Sequence, residues 1–209
     1  MRRFLAALFL LPPAIGAQAT AAEWLRRGDS VVVTDPAAAL VAFRRAAALD
    51  TASAVPAMKI ANAVLDLAEY DRDHRRQMAG FADGESWARR AQRLAPRDAE
   101  VLFTVARAIG RTALAQGPRD RVRDGQVVRD LALGALRLAP RHPGALHVMG
   151  MWHAEVMRLG SVERFLARTL LGGRVLGTAS WAEAQRFLEE AVAAEPTRAV
   201  HHLDLAKIY

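Results

Sequence analysis

The chain has 209 residues, of which 52% are apolar, 24% are charged and none is cysteine. These values argue against disorder and exclude collagen-like sequence, and the missing cysteine removes disulfides, thiolate metal ligands, a thiol nucleophile and a lipid-modified N-terminal cysteine. The formal charge is +7, carried by 27 Arg and 2 Lys, and the chain holds 44 alanines against 13 aromatics. Alanine has the best helix propensity and lets helix axes approach closely, so the composition predicts packed helices.

The first nineteen residues read as an export signal. Arg2 and Arg3 precede an apolar run from Phe4 to Leu11, then Pro12-Pro13 and the small-residue pattern Ala17-Gln18-Ala19. That is the order of a secretory leader with cleavage after Ala19, and the run is shorter than the ~20 apolar residues that span a bilayer. Residues 20–209 would then form a single domain, exported and periplasmic, with its charge lowered to +5 by loss of the two arginines. The alternative is a protein anchored to the membrane through an uncleaved N-terminal segment.

A repeat follows. Ala91–Pro96, Ala135–Pro140 and Ala191–Pro196 end alike, and Ala46–Thr51 carries the same pattern with Thr in place of Pro. Ala39, Phe43 and Ala46 recur as Ala184, Leu188 and Ala191. This is the second-helix signature of a tetratricopeptide repeat. Small residues at helical intervals let neighbouring helices press together, and the proline stops the helix at a fixed place.

Each stop precedes an amphipathic stretch, at Ala54–Glu69, Asp98–Ala115, Pro143–Leu159 and Arg198–Ile208. Ile60, Val64 and Leu67 in the first of these recur with the helical period. Asp98 reads as an N-cap, Pro143 as a first-turn proline and Ser180 with Glu183 as a capping box. Val31–Val33 is the one β-like cluster and is too short for a strand.

The stops at 51, 96, 140 and 196 lie 45, 44 and 56 residues apart, against about 34 in a plain array. Additions are therefore expected at Asp71–Gly84, at Gln116–Asp124 and, as an extra helix, at Ser161–Gly177. The predicted fold is all-α, an α-α superhelix of about four and a half helix pairs with that inserted helix.

The second half also resembles a known family. Ala145–Val156, with Gly150, Trp152, His153 and Glu155, is similar to the Gly-Arg-Trp-His-Tyr-Glu segment of the regulator of microtubule dynamics family. The similarity runs on through Glu163-Arg164, Gly172-Gly173, Ala179–Ala184 and Leu203–Tyr209, with weaker agreement upstream at Gly110–Ala113 and Arg119–Arg123. Met151 stands where the family usually has Arg, and Ala154 where it usually has an aromatic. The resemblance implies a helical binding scaffold, and fold alone does not carry a role with it.

No catalytic or metal motif accompanies the repeat. His147 and His153 lie about 240° apart on one helix and share no face, His201 and His202 are adjacent, and no His-Glu-x-x-His occurs. There is no Gly-x-Ser-x-Gly and no phosphate loop, so no catalytic residue, cofactor, metal or small-molecule substrate is expected. Arg119, Arg121, Arg123 and Arg129 alternate with Asp120, Asp124 and Asp130, which favours a self-paired surface over nucleic-acid binding. Arg158, Arg164, Arg168 and Arg174 form a weaker basic patch suited to an anionic membrane surface or an acidic partner.

The expected functional surface is the concave face lined by first helices. Its candidate residues are Lys59, Asn62 and Asp66, then Thr104, Arg107 and Arg111, then Trp152, His153, Glu155 and Arg158. The expected partner is a protein or peptide, bound without catalysis.

Overall fold

In a computed structural model of the chain, residues 19–113, 118–160, 165, 169 and 174–209 are described. The expected signal segment lies almost wholly outside them, as does most of the expected inserted helix. The helices are α1 (Ala21–Val31), α2 (Pro36–Leu49), α3 (Ala54–Glu69), α4 (His74–Leu94), α5 (Ala99–Ala113), α6 (Pro118–Leu138) and α7 (Pro143–Arg158). A 3-10 turn at Arg174–Thr178 leads to α8 (Trp181–Ala194) and α9 (Ala199–Ala206). No strand occurs among the described residues, and Val31–Val33 ends α1 instead.

Successive helices pack as antiparallel pairs, α1 with α2, α3 with α4, α5 with α6 and α7 with α8, and α9 begins a fifth pair. The four and a half pairs foreseen from the repeat are present among the described residues. Second helices end at Leu49, Leu94, Leu138 and Ala194, two residues before each stop position. Of the expected additions, His74–Gly84 lies in α4 and Pro118–Asp124 in α6, each helix being 21 residues long; residues 116 and 117 lie outside the described residues.

Local signals set the boundaries. Side chains of Asp35, Ser53, Asp73 and Asp98 accept backbone N–H bonds at four helix starts, and Pro36 and Pro143 occupy first turns, where a missing N–H costs nothing. The box foreseen at Ser180 forms by half. Ser180 accepts from the Glu183 N–H, but the Glu183 carboxylate is taken by Arg186 at 2.7 Å and does not reach back. A complete box instead joins Thr20 and Glu23 at the start of α1. No helix among the described residues is long and apolar enough to cross a membrane.

The core runs along the contacts between pairs. Ala39, Ala46, Ala88, Ala91, Ala132, Ala135, Ala184 and Ala191 on the second helices are all fully buried. Glycine takes the same part where even a methyl is too large. A Cβ at Gly28 would overlap the buried Phe43 ring, and one at Gly150 would stand 2.6 Å from Leu188 and 3.1 Å from the Ala184 carbonyl oxygen.

Because Phe43 is itself enclosed, Gly28→Ala is predicted to lower stability by about 1–3 kcal/mol through overpacking. Urea denaturation should show a lower midpoint, with no change in helix content of the native state.

Candidate functional site

The first helices α1, α3 and α5 carry a row of ion pairs that cross from helix to helix. Lys59 on α3 reaches Asp29 on α1 at 2.6 Å. Arg107 on α5 donates to Asn62 at 3.3 Å and pairs with Asp66, both on α3. Arg111 reaches Glu69 at 2.7 Å. The row arises because polar residues recur one helical face apart on two neighbouring helices, so opposite charges meet across the groove between them. All five expected residues in it, Lys59, Asn62, Asp66, Arg107 and Arg111, are half-buried.

The other expected groove residues separate. Thr104 is fully buried inside the solenoid, and its hydroxyl has no hydrogen-bond partner. Trp152 and His153 are interior as well. Glu155 and Arg158 are exposed but pair with each other along α7 at 2.5 Å. Helical spacing alone puts these residues in a stripe. The side of α5 and α7 that meets the neighbouring helices claims Thr104, Trp152 and His153 for packing. Arg158 also belongs to the expected basic patch, of which Arg164 and Arg168 lie outside the described residues, and its charge is engaged locally.

Trp152 and His153 join three helices. The Trp152 indole N–H donates to the Gly125 carbonyl of α6 at 2.8 Å. His153 meets Trp152 edge-on at 5.0 Å between ring centroids and stacks on Phe187 of α8 at 5.6 Å. Its Nδ1 accepts the N–H of Ser180, the residue that caps α8. Burial holds the His153 imidazole below its usual range, so the neutral ring fits this stack. Ala154, at the position where the family usually has an aromatic, is fully buried, so that position serves packing.

Beside the stack lies a pocket of about 320 Å³, bordered by Arg129, Leu133, Met149, His153, Thr178, Glu183 and Phe187. Its charges are already compensated. Glu183 is held below the usual carboxylate range by its hydrogen bonds from Arg186, and Arg129 pairs with Asp130 and lies over the Trp152 ring. The sequence offered no sign of this pocket, because its walls come from α6, α7, the 3-10 turn and α8. Among the described residues, no group of three or more His, Asp or Glu side chains could hold a metal ion.

Two substitutions separate the interior motif from the surface row. Trp152→Phe removes a buried hydrogen bond and indole volume, and is predicted to cost about 1–3 kcal/mol. Asp66→Asn touches a carboxylate that is 45% exposed, and should cost about 1 kcal/mol or less. Chemical denaturation of the two variants against the parent checks both values.

The arrangement of stacked helix pairs is shared with known tetratricopeptide structures. TTC0263, a thermophilic tetratricopeptide protein of Thermus thermophilus, superposes with a TM-score of 0.57 at 16% identity, over 90% of this chain and 98% of its own. The MamA protein superposes with a TM-score of 0.50 at 13% identity, over 90% of this chain and 80% of its own. No curated protein sequence matches the chain. The family model of Regulator of microtubule dynamics protein 1-3 matches residues 18–209, which contain every helix described above. The chain belongs to that family.

Proposed function

We propose that the chain is an exported, non-catalytic scaffold that binds a protein or peptide across its first-helix face. The observation that carries this reading is the row Asp29–Lys59, Asp66–Arg107 and Glu69–Arg111. These pairs are partly exposed, and each donor can exchange its partner for a carboxylate or carbonyl of an incoming chain at little cost, because such pairs contribute little when solvated. The row crosses helix boundaries, so an extended peptide laid along the solenoid axis would meet polar groups from consecutive repeats.

Export is the part of the proposal that concerns the N-terminus. Thr20 caps α1, and its backbone N–H donates to Glu23 Oε2 at 2.6 Å. Cleavage after Ala19 would turn that nitrogen into an ammonium group beside a carboxylate that already receives it. The first helix would therefore begin correctly in the processed chain. Periplasmic residence follows in this reading, with anchorage through an uncleaved segment as its alternative.

N-terminal sequencing of protein recovered from the producing cell is predicted to read Thr20-Ala21-Ala22, and a chain starting at Met1 would transfer the reading to the anchored form. Affinity capture from the envelope fraction should recover a defined partner. The combined variant K59A/N62A/R107A should reduce its recovery by about tenfold or more, while keeping helix content. Recovery equal to that of the parent would reject the first-helix face as the binding surface.

A further inference from the structure

The last helix is held in an unusual way. The buried residues of α9 are His201 and Asp204, both polar. Two of its three larger apolar residues face outward, with Leu203 57% and Val200 38% exposed, and the third, Leu205, is half-buried. No side chain caps its first turn. A helix of eight residues in which no apolar side chain is fully buried depends largely on what its buried polar groups bond to.

Those groups meet a histidine from α7. The Nδ1 atoms of His147 and His201 stand 3.0 Å apart. His147 Nε2 lies 3.3 Å from Asp204 Oδ2, and Lys207 holds the other Asp204 oxygen at 2.8 Å. His201 Nε2 is buried without a hydrogen-bond partner and lies 3.4 Å from Glu195 Oε2, on the turn that follows α8. His202 is turned away, with its Nε2 on the Pro196 carbonyl, and Arg198 pairs with Glu195 at 3.9 Å. The two rings are thus bracketed by carboxylates at their outer nitrogens, Asp204 on one side and Glu195 on the other.

This arrangement dictates how many protons fit. A carboxylate beside each Nε2 favours a hydrogen there, which leaves Nδ1 against Nδ1. With a hydrogen on each Nε2, one more between the two Nδ1 atoms makes a satisfied N–H···N bond and leaves the pair with a single positive charge. Two hydrogens would face each other across 3.0 Å, on two adjacent positive rings. We propose that the His147–His201 pair is a proton-operated latch, which docks α9 on α7 and α8 and releases it when a further proton is added.

The direction follows from burial. Desolvation first, and the neighbouring His147 second, hold His201 below the usual 6.5. The undocked ring therefore binds a proton more readily than the docked one, so docking is stable above that pH and weakens as the pH falls through the lowered value. Asp204 is pushed down to about 2 by His147 and Lys207. It stays ionised throughout this range and is not the group that switches. Release would remove the last first helix from the face on which the proposed partner lies, although the latch itself rests only on the geometry of α7, α8 and α9.

The test is hydrogen exchange of the full chain between about pH 7.5 and pH 5, corrected for intrinsic rates. Protection of the α9 amides is expected to fall by about tenfold or more relative to α8. His147→Gln keeps a nitrogen opposite Asp204 but removes the facing Nδ1, and should flatten that pH dependence. Protection of α9 that does not change with pH in the parent, or that falls equally in H147Q, would overturn the latch. If H147Q leaves α9 undocked at every pH, imidazole ¹⁵N shifts of the parent decide. Two coupled titration steps support the latch, and two independent single steps contradict it.

Discussion

Everything in this solenoid depends on how closely the second helices approach their neighbours. Alanine or glycine at each crossing sets that distance, and Ala46, Ala91, Ala135 and Ala191 occupy equivalent sites in four successive second helices with no exposed surface. A methyl is as much as the crossing admits. At Gly28 and Gly150 even a methyl would collide with Phe43 or with Leu188 and a backbone oxygen. Close crossings bring the first helices side by side, and only then can Asp29, Asp66 and Glu69 reach cations one helix away.

The polar chemistry divides into two kinds on that frame. Interior polar groups are tied to particular partners, as Trp152 is to Gly125 and His153 to Ser180. They hold α6, α7 and the start of α8 in register next to the long connection that follows α7. The surface row on α1, α3 and α5 is more exposed and contributes less to stability, which leaves it free to exchange partners. The residues that most resemble the family's own motif therefore belong to the architecture, whereas the row proposed for binding lies in the first half of the chain.

The fold was legible because its signals are local. Alanine spacing, prolines after second helices and capping residues lie within a few positions of what they control, and they place the helix ends at Leu49, Leu94, Leu138 and Ala194. The site was legible in part. The stripe Lys59, Asn62 and Asp66 falls on one face by helical period alone, but its partners Asp29 and Glu69 depend on how α1, α3 and α5 are rotated against each other. Thr104, Trp152 and His153 went astray for the same reason, since a stripe does not say whether its face meets water or a neighbour. His147 and His201 are 54 positions apart, and no spacing rule joins two such residues until α7 and α9 are packed.

Photo-crosslinking tests the binding face most directly. A crosslinking residue placed at Asp66 or Glu155, on the first helices, is compared in the producing cell with one at Arg93 or Arg137, near the ends of the second helices. Adducts with one defined partner from the first-helix positions alone are the predicted result. Adducts confined to Arg93 and Arg137 would contradict the account and move the binding surface to the opposite side of the repeats.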